Sequence, residues 1–200
     1  MLSSAVNAIG FILGILFNLY AVIAAVRFVM QVVRADYFNP LAQAVVKLTD
    51  PLLIPLRRVI PSIKQYDTAS LVLVFVVLLL KITVFKVLNL GSVPVIGSAA
   101  SVSGLPVDKM LLLSILDVVH QFFNVFIYAL IILAILSWIP NAGGNPVQAM
   151  VASIGEPVLR PIRKLIPPLG GIDLTVFFTI IGLFAMQMFI VGSLRALFGL

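Results

Sequence analysis

Four long apolar runs, at 6–33, 69–90, 110–139 and 174–198, leave this chain few ways to fold. Each supplies the roughly 20 consecutive apolar residues that an α-helix needs to cross a hydrocarbon core. A spanning segment must satisfy its backbone polar groups internally, and none of the runs alternates as a barrel strand does. The expected fold is therefore all-α, a polytopic membrane protein with four transmembrane helices. Composition agrees, since 62% of the 200 residues are hydrophobic and mean hydropathy is +1.23. Seven acids and thirteen Lys and Arg cannot cover the surface of a soluble domain of this size. The first run lacks a basic leader and exceeds the roughly 7–15 residues of a signal-peptide core, so it reads as a retained membrane helix.

Much chemistry is excluded by what the chain lacks. With no cysteine there is no disulfide, thiolate metal site or cysteine nucleophile, and one histidine, His120, is too few for a histidine-rich metal site. No Ser/His/Asp set or paired-carboxylate arrangement is visible. The segment at 141–145 (Asn-Ala-Gly-Gly-Asn) reads as a turn, because it lacks the strand and Lys-Ser/Thr context of a phosphate loop. The expectation is a protein that is not an enzyme and carries no cofactor or metal. The net charge of +6 is not interleaved with aromatics as in a nucleic-acid-binding domain, which points away from nucleic acid.

Membrane orientation explains the basic excess better. The loop at 34–68 carries Arg34, Lys47, Arg57, Arg58 and Lys64, and the loop at 140–173 carries Arg160, Arg163 and Lys164. The middle loop has only Lys109, beside Asp108. Basic short loops stay cytoplasmic, so both termini and the middle loop are expected outside. Lys86, Arg195 and Arg27 lie near span ends and are expected to snorkel to headgroups.

An internal repeat organises the whole chain. A constant offset of 106 residues aligns Asn18 with Asn124, Asn39-Pro40 with Asn145-Pro146 and Asp50-Pro51 with Glu156-Pro157. It also aligns Pro55 with Pro161, Arg57-Arg58 with Arg163-Lys164, Ile60-Pro61 with Ile166-Pro167 and Asp67 with Asp173. Each copy holds an even number of spans, so the copies enter and leave on one side and are parallel repeats. The first repeat is assigned to 1–94 and the second to 110–200, with an extracytoplasmic linker at 95–109. A pseudo-two-fold four-helix bundle is the expected product.

The repeated loops, 39–61 and 145–167, are amphipathic. Asn39 and Asn145 each precede a proline and read as N-caps, and Asp50 before Pro51 reads the same way, which predicts two short helices in succession. Arg57, Arg58, Arg163, Lys164, Lys47 and Arg160 then face anionic headgroups or a partner, the element lying on the cytoplasmic leaflet. A re-entrant dip of 52–60 is the alternative. Asp67 and Asp173 immediately precede spans two and four, where aspartate caps free N–H groups and favours the helix dipole.

Within the spans, Asp117, His120, Gln121, Asn124 and Tyr128 fall on one helical face of span three, and a polar stripe in lipid should face the bundle interior. Gly10, Gly14 and Asn18 make a small-residue row on span one, which predicts that spans one and three cross near Asn18 and Asn124. Lys81, in the middle of span two, needs a partner, and Asp117 is the nearest sensible one.

The doubled pattern, with Leu-Arg-Pro-Ile-Arg-Lys-Leu-Ile-Pro-Pro-Leu-Gly-Gly-Ile-Asp-Leu at 159–174 and a looser copy at 53–68, resembles the YggT family of bacterial membrane proteins. The plastid and cyanobacterial relatives, of YlmG or CCB type, usually carry one copy. The first copy departs from the pattern, having Ser62-Ile63-Lys64-Gln65-Tyr66 where the second has Pro168-Leu169-Gly170-Gly171-Ile172. The resemblance implies a multi-pass protein of the bacterial inner membrane in a largely uncharacterised family. Its members are associated with hyperosmotic tolerance, cell division or nucleoid distribution, and plastid b-type cytochrome maturation, and no site residues carry over. Three function classes remain. They are a scaffold or assembly factor docking anionic lipid or a cytoplasmic partner through the loops; a small transport or channel component in osmotic or potassium homeostasis, using the span-three stripe; and a membrane enzyme or cofactor handler using His120. A membrane-protein partner or association with further copies of the chain is also expected.

Overall fold

A computed structural model describes residues 2–63, 66–90, 92–95, 98–101, 104–139, 145–165 and 174–200. The helices are α1 (Leu2–Val32), α2 (Pro40–Val59), α3 (Thr68–Val87), α4 (Val107–Ser137), α5 (Pro146–Leu165) and α6 (Leu174–Phe198). Four of them, α1, α3, α4 and α6, are long and apolar enough to cross a membrane, and they coincide with the four apolar runs. The chain is a multi-pass membrane protein. A two-stranded antiparallel hairpin, β1 (Ser92–Val95) with β2 (Ser98–Ser101), lies between α3 and α4 and pairs Ser92 with Ser101 and Val95 with Ser98. The sequence reading has a bare linker there, because four-residue strands leave too little alternation to detect.

Three of the spans end alike. Arg34, Asn89 and Gly199 take left-handed φ values of 55°, 50° and 61° just past α1, α3 and α6. In each case the next N–H reaches back five residues, Ala35 to Met30, Leu90 to Phe85 and Leu200 to Arg195, at 2.8–3.0 Å. Such caps satisfy carbonyls that the last turn leaves open, and they stop the helix sharply.

The loop helices correct the sequence reading. Each is one continuous helix rather than two, with Pro51 and Pro55 inside α2 and Pro157 and Pro161 inside α5. Proline in a helix frees the carbonyl four residues back. In α2 those carbonyls belong to Lys47 and Pro51, which lie with Pro55 on the exposed side, where polar surroundings can take over the lost bonds. Asp50 is therefore mid-helix and not a cap. The buried stripe of α2 is Ala42, Thr49 and Leu53, and it packs on α1 and α3, while Leu48, Leu52 and Val59 face outward. In α5 the counterpart of Thr49 is Gly155, where a Cβ would come within 2.8 Å of Leu130 Cδ2 of α4, so Leu130 takes the space a side chain would need.

Within each repeat the two spans pack together, α1 on α3 and α4 on α6. Between repeats the packing is one-sided. α3 also packs on α4, but α6 packs on α4 and α5, and among the described residues no packed seam joins α1 to α6. The expected two-fold bundle is thus not closed. The main core gathers Ala21, Ala24 and Ala25 of α1, Leu73, Val74, Val77 and Leu78 of α3, Leu53 of α2 and Val125 of α4.

Candidate functional site

The polar residues of the spans form two sets related by the repeat. In the first, Lys81 of α3 is fully buried, and its Nζ donates to Asn18 Oδ1 of α1 at 2.9 Å and to Asp117 Oδ2 of α4 at 2.5 Å. In the second, Gln187 of α6 donates to Asn124 Oδ1 at 3.0 Å and to the His120 carbonyl at 3.2 Å. The 106-residue offset maps Asn18 onto Asn124 and Lys81 onto Gln187, so each asparagine holds the second span of its own copy. Gln187 was missed in the sequence, although adding the offset to Lys81 would have found it.

The two asparagines do not bond to each other. Asn124 Nδ2 instead lies 3.3 Å from Gln121 Oε1 and 3.3 Å from His120 Nδ1. Gly10 also faces elsewhere, since a Cβ there would meet Phe85 and Leu90 at the α3 end. Spans one and three do touch, through Phe28 and Phe122, whose ring centroids are 5.4 Å apart edge to face. Beside the second set a groove of about 480 Å³ opens between α4 and α6, lined by His120, Asn124, Tyr128, Phe184, Gln187 and Met188 among others. The described residues hold no group of three or more His, Cys, Asp or Glu placed to take a metal.

The loop helices carry the other candidate residues. Asn39 Oδ1 accepts from the Leu41 N–H at 2.9 Å, and Asn145 Oδ1 does the same for Val147 at 2.9 Å. Asn39 Nδ2 donates in addition to the Pro146 carbonyl at 2.7 Å, tying the start of α2 to the start of α5. Asp50 pairs at 3.5 Å with Arg27, which is buried beneath α2 over the Tyr37 ring instead of snorkelling. Its counterpart Glu156 pairs with Arg160 and Arg163 of its own helix, at 3.5 and 3.3 Å. Lys86, also expected at a headgroup, donates to the Leu105 carbonyl at 2.7 Å. Lys47, Arg58 and Lys164 are exposed.

Asp67 stands at the N-cap position of α3 but makes no side-chain capping bond there. Its Oδ2 instead accepts from Arg57 Nε at 3.1 Å and from the Ser70 hydroxyl at 2.6 Å, while its own N–H donates to Gln31 at 3.1 Å. This clamp fastens the end of α2 to α1 and α3. Asp173, Lys64, the prolines at 167 and 168 and the turn at 141–144 lie outside the described residues.

Burial pushes the Asp67 carboxyl up, but the hydrogen bonds from Arg57 and Ser70 and the Arg57 charge outweigh it and hold it below its ordinary value. A carboxyl lowered in the fold contributes stability above the usual aspartate range, near about 4, and loses it as pH falls through the folded value. Protection from hydrogen exchange at the end of α2, taken relative to the intrinsic amide rate at each pH, should therefore be high at neutral pH and fall below about pH 4. Arg57→Gln should make exchange there fast at neutral pH and flatten the acid step.

These features define a class: a polytopic membrane protein of two parallel repeats, each a pair of spans joined by a basic amphipathic helix. The sequence pattern of the CCB3/YggT family matches residues 6–88 and 112–194, two stretches displaced by the same 106 residues, and the chain belongs to that family. It is 41% identical over 190 residues to an uncharacterised Pseudomonas aeruginosa protein, covering 95% of this chain and 91% of that one. It is 38% identical over 177 residues to an uncharacterised Vibrio alginolyticus protein, covering 88% and 90%. To the uncharacterised protein YggT of Escherichia coli it is 32% identical over 191 residues, covering 95% and 93%. No solved structure matches.

Proposed function

We propose that the chain is a non-enzymatic scaffold or assembly factor of the bacterial inner membrane, acting through α2 and α5 on the cytoplasmic side. The observation that carries this reading is that both copies hold a continuous 20-residue amphipathic helix between their spans. Each packs one face on the spans and ends in an exposed basic pair, Arg57-Arg58 or Arg163-Lys164. In α2 the exposed apolar residues Leu48, Leu52 and Val59 flank Lys47 and Arg58, the disposition of a helix lying at the headgroup boundary. Anionic headgroups attract such basic segments by about 1 kcal/mol per charge. Osmotic tolerance, division and membrane-complex assembly are the settings in which such a scaffold would serve.

Exchanging Arg57, Arg58, Arg163 and Lys164 for Gln should strip bound anionic phospholipid from the purified protein, read by native mass spectrometry, and abolish partner capture by crosslinking in native membranes. Retention of both would end this reading. A second reading, a transport or channel component, draws on the polar sets within the spans, of which Lys81 with Asp117 joins the two repeats. It requires ion flux in proteoliposomes that disappears in Asp117→Asn.

A further inference from the structure

The seam between the repeats is heterologous, and it leaves two complementary loose ends. On α4, the stripe Leu113, Asp117, Gln121 and Val125 is covered by the first repeat, each residue 2–3% exposed. Shifting by 106 residues gives Asn7, Phe11, Ile15 and Leu19 on α1. All four are exposed, the last three at 69%, 50% and 56%. On α3, Leu78 and Ile82 are fully buried between α1 and α4, whereas their counterparts on α6, Phe184 and Met188, are 44% and 76% exposed. The bare face of α1 is thus the counterpart of the face that covers α3. The bare face of α6 is the counterpart of the face that is covered.

From this we propose that a second copy of the chain docks head to tail in the membrane plane, its α1 lying on α6 of the first as α4 lies on α3. The polar positions suit that contact. Inside the chain the seam buries Lys81 against Asp117, and at the loose ends the same positions hold Gln187 and Phe11. The new seam therefore has no equivalent of the buried ion pair, and Gln187 already has its partners on α4. Phe11 of the incoming helix comes to lie beside the groove flanked by Phe184 and Met188. Within one chain, among the described residues, α1 and α6 share no packed seam. Head-to-tail contacts of this kind close into rings when the rotation allows.

The chain has no cysteine, so introduced ones report cleanly. Two differently tagged copies, one Phe11→Cys and one Met188→Cys, are coexpressed and oxidised mildly in native membranes. The expected result is a disulfide joining the two tags, at least about tenfold stronger than with Val76→Cys, an exposed α3 position outside the seam, in place of Met188→Cys. Equal bonding to both positions would mark random collision and overturn the proposal. So would bonding to neither while maleimide labelling after unfolding in detergent shows both thiols free, which leaves lipid as the cover. An intrachain bond in the Phe11→Cys, Met188→Cys double variant would show α1 closing on its own α6, and would overturn it as well. Phe11→Lys should yield a monomer in nanodiscs with helical content unchanged, and persistence of the dimer would count against this seam.

Discussion

Asp117→Ala should destabilise the protein by about 3–5 kcal/mol, read as the loss of folded fraction on unfolding in mixed micelles, because it strands a buried lysine. Lys81 has no exposed surface, so its ammonium cannot reach water when its counter-ion is removed. The pair need not be the most stable filling of that space, since well-packed apolar residues often replace buried ion pairs at no loss. Lys81→Met with Asp117→Leu should therefore recover most of what the single change loses. Recovery stays incomplete, because Asn18 Oδ1 loses its donor, an omission costing about 1–3 kcal/mol. Adding Asn18→Val should restore the remainder. If the double variant is as unstable as Asp117→Ala alone, the pair is not what holds this level of the bundle.

The second large effect is a contrast between repeat-equivalent positions. Ile82→Ala should cost about 2–5 kcal/mol, because the side chain is fully enclosed with Phe85, Met110 and Leu113 and its removal leaves a cavity. Met188→Ala, at the same place in the second copy, should change the stability of the solubilised monomer by no more than about 0.5 kcal/mol. Equal losses would mean that α6 is as enclosed as α3, contrary to the one-sided packing.

How much of this the sequence displays depends on which physical signal each feature leaves. The spans follow from length and hydropathy, and the duplication from the offset, which the family match reproduces. Asn39 and Asn145 are readable because Asn-Pro is a local capping signal. Lys81 with Asp117 is readable because a lone lysine at that depth needs a counter-ion. The unbroken loop helices are not, since Pro51 and Pro55 are breakers unless their freed carbonyls face outward, and that is decided by which side of α2 packs on the spans. The clamp at Asp67 is equally hidden, for Gln31, Arg57 and Ser70 converge from three separate helices. The one-sided seam is only half legible, because the polar stripe of α4 marks the face that is covered, whereas the equivalent positions Phe11, Ile15 and Leu19 of α1 are apolar like the rest of that helix and nothing in its periodicity singles them out.

The ion pair also sets the two copies apart. Lys81 and Asp117 sit in different copies at non-equivalent positions, and their counterparts are glutamine and phenylalanine. Either of the two charges alone would be an uncompensated ion in hydrocarbon. Once in place they resist reversal one at a time, which fixes the order of the halves and makes first and second copies no longer interchangeable.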